Sequence, residues 1–316
     1  MPRKSRLLVD IVIPVFNEAA VVEQTHGSLR KVLDALPQTF KIYYVDDGST
    51  DGTPEALARL AEKDRAVEVL ELSRNFGHQA ALSAGLMTAR GDIVITMDAD
   101  GQHPPELIPQ MLDLVNQGYD IVQTQRLEAT QSGTFKQWSS AGFYRLLNLI
   151  SGTRVLAGAA DFRALSRQAV EGLKSMPEYH RFLRGMISWM GYSSVILPYH
   201  EQKRVAGKSK YSPGKMFRLA MDAIFSFSLV PLYIGLSMGG FLLCLALVEV
   251  VYVAFLWLTG RTSNLAPGWS SLMFVILIVG GMLMVSLGFV AVYVGYIFQE
   301  VKRRPVYLIK DREKDG

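Results

Sequence analysis

Two long apolar runs near the C-terminus constrain this chain more than any other feature. Leu229 to Leu258 spans 30 residues with one charge, Glu249, and Ser271 to Phe298 spans 28 with none. An α-helix needs about 20 apolar residues to cross the hydrocarbon core of a bilayer. Each run is therefore long enough to span, with length to spare for tilt. Between them Gly260-Arg261-Thr262-Ser263-Asn264 and Ala266-Pro267-Gly268 form a short polar turn. The expectation for residues 229–299 is a two-helix transmembrane hairpin, with helices over 229–258 and 271–298 and both outer ends on one side. Cys244 is the only cysteine, which excludes an internal disulfide, and it reads as a small hydrophobe of the first run.

The basic residues orient the hairpin. Lys203, Arg204, Lys208, Lys210, Lys215 and Arg218 precede the first run without an acidic residue among them, and Lys302, Arg303 and Arg304 follow the second. The turn carries only Arg261. Lys and Arg concentrate on the cytoplasmic side of membrane helices, so the turn is expected outside and both termini, including the basic tail 300–316, in the cytoplasm. The formal charge of +4 is then a juxtamembrane belt that suits anionic lipid. It is not spread over a folded face with interleaved aromatics, so it does not point to nucleic acid.

Residues 1–228 read differently. The N-terminal Arg3-Lys4-Ser5-Arg6 before an apolar stretch superficially resembles a signal peptide, but Asp10 and Pro14 interrupt the stretch and no small-residue cleavage site follows. A strand over 9–14 fits better. Helix 18–36, strand 41–45, helix 53–62, strand 67–72, helix 79–89, strand 92–97, helix 104–116 and strand 120–124 follow in β-branched and helical periodicities. That alternation predicts a mostly parallel sheet covered by helices, whose ligands bind at the carboxyl ends of the strands.

Two carboxylate pairs fall at such ends. Asp46 and Asp47 close the second strand before Gly48-Ser49-Thr50-Asp51-Gly52; Asp98 and Asp100 close the fourth before Gln102-His103. Mg²⁺ and Mn²⁺ take oxygen ligands and share them with substrate phosphates, so an Asp-x-Asp at a strand end suits a metal-bound diphosphate. Each pair alone also fits a turn or a helix cap; together, at neighbouring strand ends, they point to chemistry. No Gly-x-Gly-x-x-Gly follows the first strand and no Walker A sequence is present. His26, His78, His103, His180 and His200 show no metal-ligand spacing and read as ordinary histidines.

The segments Ile13-Pro14-Val15-Phe16-Asn17-Glu18, Val45 to Thr53, Ser73 to Gln79 and Met97 to Glu106 together resemble the family-two inverting glycosyltransferases of GT-A fold. Within them the chain is similar to the polyprenyl-phosphate hexosyltransferases, the branch of dolichol-phosphate mannose synthases and bactoprenol glucosyltransferases. Ala206 to Tyr211, Phe227 to Leu232 and Glu300 to Pro305 extend the likeness across nearly the whole chain. The resemblance implies a Rossmann-like GT-A domain over 1–211, a nucleotide-sugar pocket lined by Pro14, Asn17, Glu18, Asp46, Asp47, Ser49 and Asp98, and a metal and diphosphate site at Asp98, Asp100 and Gln102. Asp161 matches an acidic position facing the acceptor, as base or as orienting group. Gly101 departs from the family, which commonly has Leu there, as does the run of small residues 158–160 before Asp161. A homo-oligomer, a tetramer, is also implied.

The acceptor implied is undecaprenyl or another polyprenyl phosphate, itself a nucleophile carrying about −1.5 to −2 charges. Arg126, Lys136, Arg204, Lys208 and Lys210 are the cations expected to hold it, Arg through bidentate contacts and Lys as a point charge. Stretches 135–150 and 212–228 alternate apolar with polar and charged residues, and read as interfacial amphipathic helices that keep the cleft at headgroup height. The expected reaction is transfer of glucose from UDP-glucose with inversion, in a multi-pass protein of the bacterial inner membrane. GDP-mannose or a UDP-pentose are the alternative donors. A processive polysaccharide synthase is disfavoured because Gln-x-x-Arg-Trp is absent, and a non-catalytic scaffold or lipid-translocation partner is disfavoured by the intact acidic set.

Overall fold

The computed structural model describes residues 7–127, 159–200, 230–260 and 268–310. Two compact units divide the chain. One holds residues 1–218 together with 304–316, and the other holds 219–303.

The first unit is built on a seven-stranded sheet in the order β3-β2-β1-β4-β6-β5-β7. Its strands are β1 (Leu8–Val15), β2 (Thr39–Asp46), β3 (Val67–Glu71), β4 (Ile93–Thr96), β5 (Ile121–Leu127), β6 (Ala159–Ser166) and β7 (Ser194–His200). β1 runs parallel to both β2 and β4, and β2 parallel to β3. β6 is antiparallel to β4 on one side and to β5 on the other. The sheet is thus α/β, mostly parallel and GT-A-like.

The helices are α1 (Val22–Leu33), α2 (Thr53–Lys63), α3 (His78–Thr88), α4 (Ile108–Asn116), α5 (Arg167–Lys174) and α6 (Leu183–Trp189). A 3₁₀ turn over Pro105–Leu107 leads into α4. A central parallel strand is covered on both faces and so reads as continuous apolar sequence. Accordingly Val9, Ile11, Val12 and Ile13 are all fully buried. Asp10 is buried among them because its carboxylate accepts the backbone N–H groups of Arg90 and Gly91, both at 2.7 Å, which ties the turn before β4 to β1.

The expected elements through residue 124 are all present, with ends moved by a few residues. Two corrections follow. The strands bearing the carboxylate pairs are not neighbours, since β1 lies between β2 and β4. Sequence periodicity also did not resolve β6, which enters between β4 and β5 in the opposite direction and brings Asp161 into the centre of the sheet.

The second unit contains α7 (Val230–Leu258) and α8 (Trp269–Lys302). They lie against each other, with the Ser286 hydroxyl donating to the Gly235 carbonyl at 3.3 Å. Their surfaces are apolar outward as well: Leu236, Trp257 and Leu258 are each more than 70% exposed, and Cys244 is exposed too. Exposed apolar area on this scale marks a surface that is covered in its working environment. Among the described residues, one segment, Ile278–Lys302, is long and apolar enough to cross a membrane by length and composition. The stretches 135–150 and 212–228, and with them Lys136, Arg204, Lys208 and Lys210, lie outside the described residues.

Candidate active site

The site is assembled from loops at the carboxyl ends of β1, β2 and β4. After β1 the chain turns at Asn17, whose φ of 54° is in the left-handed region, a conformation that Asn tolerates better than most residues. The turn is held to the loop after β2. Asn17 N–H donates to the Ser49 hydroxyl and Thr50 N–H donates to Asn17 Oδ1, both at 2.9 Å. Glu18 N–H donates to the Thr53 hydroxyl at 2.9 Å. Ser49 N–H in turn donates to Asp46 Oδ1 at 3.0 Å. Asn17, Glu18 and Ser49 therefore stand on two mutually bonded loops, with Pro14 and Asp46 at the ends of the strands that lead into them.

Asp47 is engaged differently. Its two carboxylate oxygens accept the N–H groups of Phe76 and Gly77, at 2.7 and 2.9 Å. Asp47 is buried and fastens the 73–77 loop, from which α3 and His78 start. Burial raises the carboxyl pKa of both Asp46 and Asp47, against the hydrogen bonds that lower it. Gly48 between Ser49 and Asp47 has φ +67°, and a Cβ there would lie 2.5 Å from the backbone carbon of Arg74. Only glycine lets these two loops close.

Asp98 and Asp100 follow β4. Asp98 N–H donates to His103 Nδ1 at 2.9 Å, so the neutral imidazole carries its proton on Nε2, which lies 3.7 Å from Asp98 Oδ2. His103 is buried and stacked on Phe162. Gln102 N–H donates to Asp100 Oδ1 at 3.0 Å. Gly101 between them has φ 76°, a left-handed conformation that glycine adopts without strain.

Asp161 is the centre of a charged cluster. It is 5% exposed. Arg163, 1% exposed, pairs with Asp161 Oδ1. Arg184 from α6 donates from Nε to Oδ1 and from Nη2 to Oδ2, both at 3.1 Å. His78 Nε2 lies 3.4 Å from Asp161 Oδ2 and 3.6 Å from Asp98 Oδ1. Burial opposes ionisation of Asp161, but Arg184, His78 and Arg163 outweigh it and hold its pKa well below the usual carboxylate value. For His78, burial opposes the charge, and Asp161 and Asp98 more than offset it, raising the pKa to about 9.

His78, His103 and Arg184 are not recognisable as site residues from sequence, whereas Arg163, two positions on from Asp161, reads there as an alternative partner for it. The histidines lack metal-ligand spacing, and Arg184 lies in a stretch with no motif. The one signal available was their position, His78 and His103 next to the loops that carry the acidic residues. Arg126 is exposed at the end of β5, in register with Tyr199 of β7.

The profile of Glycosyl transferase family 2 matches residues 10–173, the span that contains every carboxylate of this site. The chain belongs to that family. It is a glycosyltransferase. Full-length relatives agree. An uncharacterized glycosyltransferase of Synechocystis sp. is 37% identical over 304 residues, covering 96% of this chain and 95% of that one. A prophage-derived bactoprenol glucosyl transferase of Shigella flexneri is 36% identical over 303 residues, covering 96% and 97%. Among solved structures, a mannosyltransferase of Pyrobaculum calidifontis in complex with GDP-Man and Mn²⁺ is 18% identical with a TM-score of 0.44, covering 90% of this glycosyltransferase and 87% of that chain.

Proposed function

We propose that this glycosyltransferase moves glucose from UDP-glucose to the phosphate of undecaprenyl or a similar polyprenyl phosphate, with inversion, at the cytoplasmic face of a bacterial inner membrane. The observation that carries the reading is the match to bactoprenol glucosyl transferases. It runs over 96% of the chain at 36% identity, so it takes in the apolar helices as well as the catalytic unit. The exposed apolar faces of α7 and α8 support their placement in a bilayer, as a hairpin with the basic flanks inside. The resemblance also implies a homo-oligomer, a tetramer, which light scattering of the detergent-solubilised enzyme would test.

A divalent ion, Mg²⁺ or Mn²⁺, fits the acidic set at β4. Asp98 Oδ1 is buried and makes no hydrogen bond, its nearest cation being His78 Nε2 at 3.6 Å, and the available donors are the hard carboxylate oxygens such ions prefer. Asp98 and Asp100 would hold it, with Gln102 beside them. When bound, it supplies charge that stabilises a diphosphate leaving group.

The chain's own residues do the rest. Pro14, Asn17, Glu18, Asp46, Asp47 and Ser49 form the nucleotide side of the pocket. An oxygen of the acceptor phosphate attacks C1 of the glucosyl group as the bond from C1 to the donor's β-phosphate oxygen breaks, and UDP leaves with that electron pair. The acceptor is already an anion, so no strong base is needed. Asp161, held ionised between two guanidinium groups, is a positioning residue: it aims Arg184 and His78 toward the place where the two phosphate groups meet. Arg126, and the cations at 136, 204, 208 and 210, hold the lipid phosphate. Preorganised cations of this kind contribute because charge shifts between phosphates during transfer.

The test is a donor panel. Purified enzyme with Mg²⁺ or Mn²⁺ and polyprenyl phosphate is offered UDP-, GDP- and dTDP-sugars, and lipid-linked sugar is measured. Transfer from UDP-glucose is expected. Transfer from GDP-mannose or a UDP-pentose in its place would correct the donor, and full activity of Asp98→Ala or Asp100→Ala would overturn the catalytic reading in favour of a scaffold.

A further inference from the structure

The chain that follows α8 returns to the sheet. Residues 304–310 belong to the catalytic unit, and there they pair with the strand edge just beyond β3. Leu72 and Ile309 form an antiparallel bridge. Ser73 N–H donates to the Leu308 carbonyl and Lys310 N–H donates to the Glu71 carbonyl, both at 2.8 Å. The Lys310 ammonium pairs with the Glu71 carboxylate. β3 is the outermost strand of the sheet, and an open edge is a surface that folded proteins cover.

The position of this pairing matters more than the covering. Ser73 opens the loop that closes on Gly48 through Arg74 and Asn75, and that fastens to Asp47 through Phe76 and Gly77. Lys310 is also close enough to act on the Asp46 carboxyl, lowering its pKa against the larger, opposite effect of burial. A second anchor lies at Tyr307. It is partly buried and near enough to Arg181 for the two to interact electrostatically, three residues before Arg184. One short segment therefore bears on the 73–77 loop and, through Arg181, on the stretch that leads into α6.

We infer that Tyr307–Lys310 is a strap that sets the shape of the donor-nucleotide pocket, with Lys310 as its positioning residue, so that docking of the strap and binding of the nucleoside diphosphate favour each other. The inference rests on the proposed assignment of the loops after β1 and β2 to the nucleotide. Two events that favour each other do so by the same factor in both directions. Donor nucleotide should tighten the strap, and loosening the strap should weaken the nucleotide.

The experiment uses full-length enzyme in nanodiscs and UDP as probe. Lys310→Pro removes the N–H that bonds Glu71 and the ammonium together. Lys310→Ala removes only the ammonium, and Lys310→Arg keeps the N–H and a positive charge, as a guanidinium. For Lys310→Pro the donor KM should rise roughly tenfold, the scale of losing one or two hydrogen bonds, with kcat and the KM for polyprenyl phosphate within about twofold. Lys310→Ala should fall between, and Lys310→Arg should stay near the wild type. Hydrogen exchange at Ser73 and Lys310 should slow when UDP binds. A Lys310→Pro enzyme with faster exchange at Ser73 but unchanged UDP affinity and donor KM would overturn the strap while leaving the glycosyltransferase reading intact. If the wild type itself bound no UDP by calorimetry, the nucleotide assignment would fall, and the strap with it.

Discussion

Arg184 meets Asp161 with both arms of its guanidinium, Nε to Oδ1 and Nη2 to Oδ2, each at 3.1 Å. Arg163 occupies Asp161 from within the sheet, so the carboxylate is shared by two cations with different freedom. Arg163 is sealed at 1% exposure, whereas the Arg184 side chain is 26% exposed. The buried pair sets the carboxylate in place, and the more open arginine is the one with surface left for a ligand.

Arg184 is therefore expected to matter through geometry as well as charge. Arg184→Lys keeps the charge but loses the two-armed contact, because an ammonium is a point charge. Turnover should fall about tenfold for lysine and about a hundredfold or more for alanine, the range seen when a preorganised donor is removed. UDP affinity should change little in either. Equal turnover of Arg184→Lys and wild type would show that the paired geometry is not used.

Asp161 supplies a pH signature. Its folded pKa lies well below the ordinary value, so its ionised form contributes stability that is complete above the unfolded pKa of about 3.9. The contribution is lost only as pH falls through the lower, folded value. Asp161→Asn should be less stable than wild type at neutral pH, by about 3–5 kcal/mol, because Arg163 is left buried without its counter-charge. The gap should be widest between about pH 6 and pH 5 and narrow below about pH 4 as Asp161 takes up its proton. It should narrow also as pH rises from about 6.5 towards 9, where His78, whose raised pKa depends partly on Asp161, loses its charge. Thermal melts of both proteins across that range decide it; a gap already closing as pH falls from 7 to 5 would mean that the carboxylate is not held ionised. The same variant should bind UDP normally yet transfer glucose poorly.

The parts legible in the sequence were those with local periodicity or local chemistry. Strands such as β1, with its run from Val9 to Val15, and the Asp-x-Asp at 98–100 follow from neighbouring residues alone. The separation of β2 from β4 by β1 was not legible, because strand order depends on crossovers rather than on residue types. The cluster around Asp161 was legible only in Arg163, its neighbour on β6. His78 and Arg184 come from α3 and α6, and only the antiparallel insertion of β6 brings them to it. The tail at 307–310 is the longest-range case: Lys310 pairs with Glu71 across most of the chain, and no spacing rule connects them.

The carboxylates after β4 predict a metal dependence with a specific loser. Asp98 Oδ1 is buried and makes no hydrogen bond, with His78 Nε2 3.6 Å away, whereas Asp100 Oδ1 already accepts from Gln102 N–H. Asp98→Asn should abolish transfer at ordinary Mg²⁺ or Mn²⁺ concentrations, since an amide is a poorer ligand for a hard cation. Chelation of the wild type should do the same, reversibly on adding the ion back. Isothermal titration with Mn²⁺ in the presence of UDP is the direct measurement. Undiminished Mn²⁺ affinity of Asp98→Asn would move the metal away from this carboxylate.

Gly48 carries the most severe steric constraint of the site. Its backbone sits at φ +67°, and an added Cβ would meet the Arg74 carbon at 2.5 Å and the Asn75 nitrogen at 2.7 Å. These are backbone atoms, so no side-chain rotation relieves the clash. Gly48→Ala must move the 73–77 loop, and with it the two N–H groups on Asp47 and the start of α3 at His78. The left-handed conformation alone costs about 1–3 kcal/mol for a residue with a side chain. The expected result is a lower melting temperature together with weaker UDP binding, because the same displacement reaches Asp46 and Ser49. Gly118, at φ +102° with nothing within 4 Å of a Cβ, is the control: alanine there pays the conformational cost alone, and UDP affinity should remain at the wild-type value. Equal loss of nucleotide binding in both variants would attribute the effect of Gly48 to general instability rather than to the closing of the two loops.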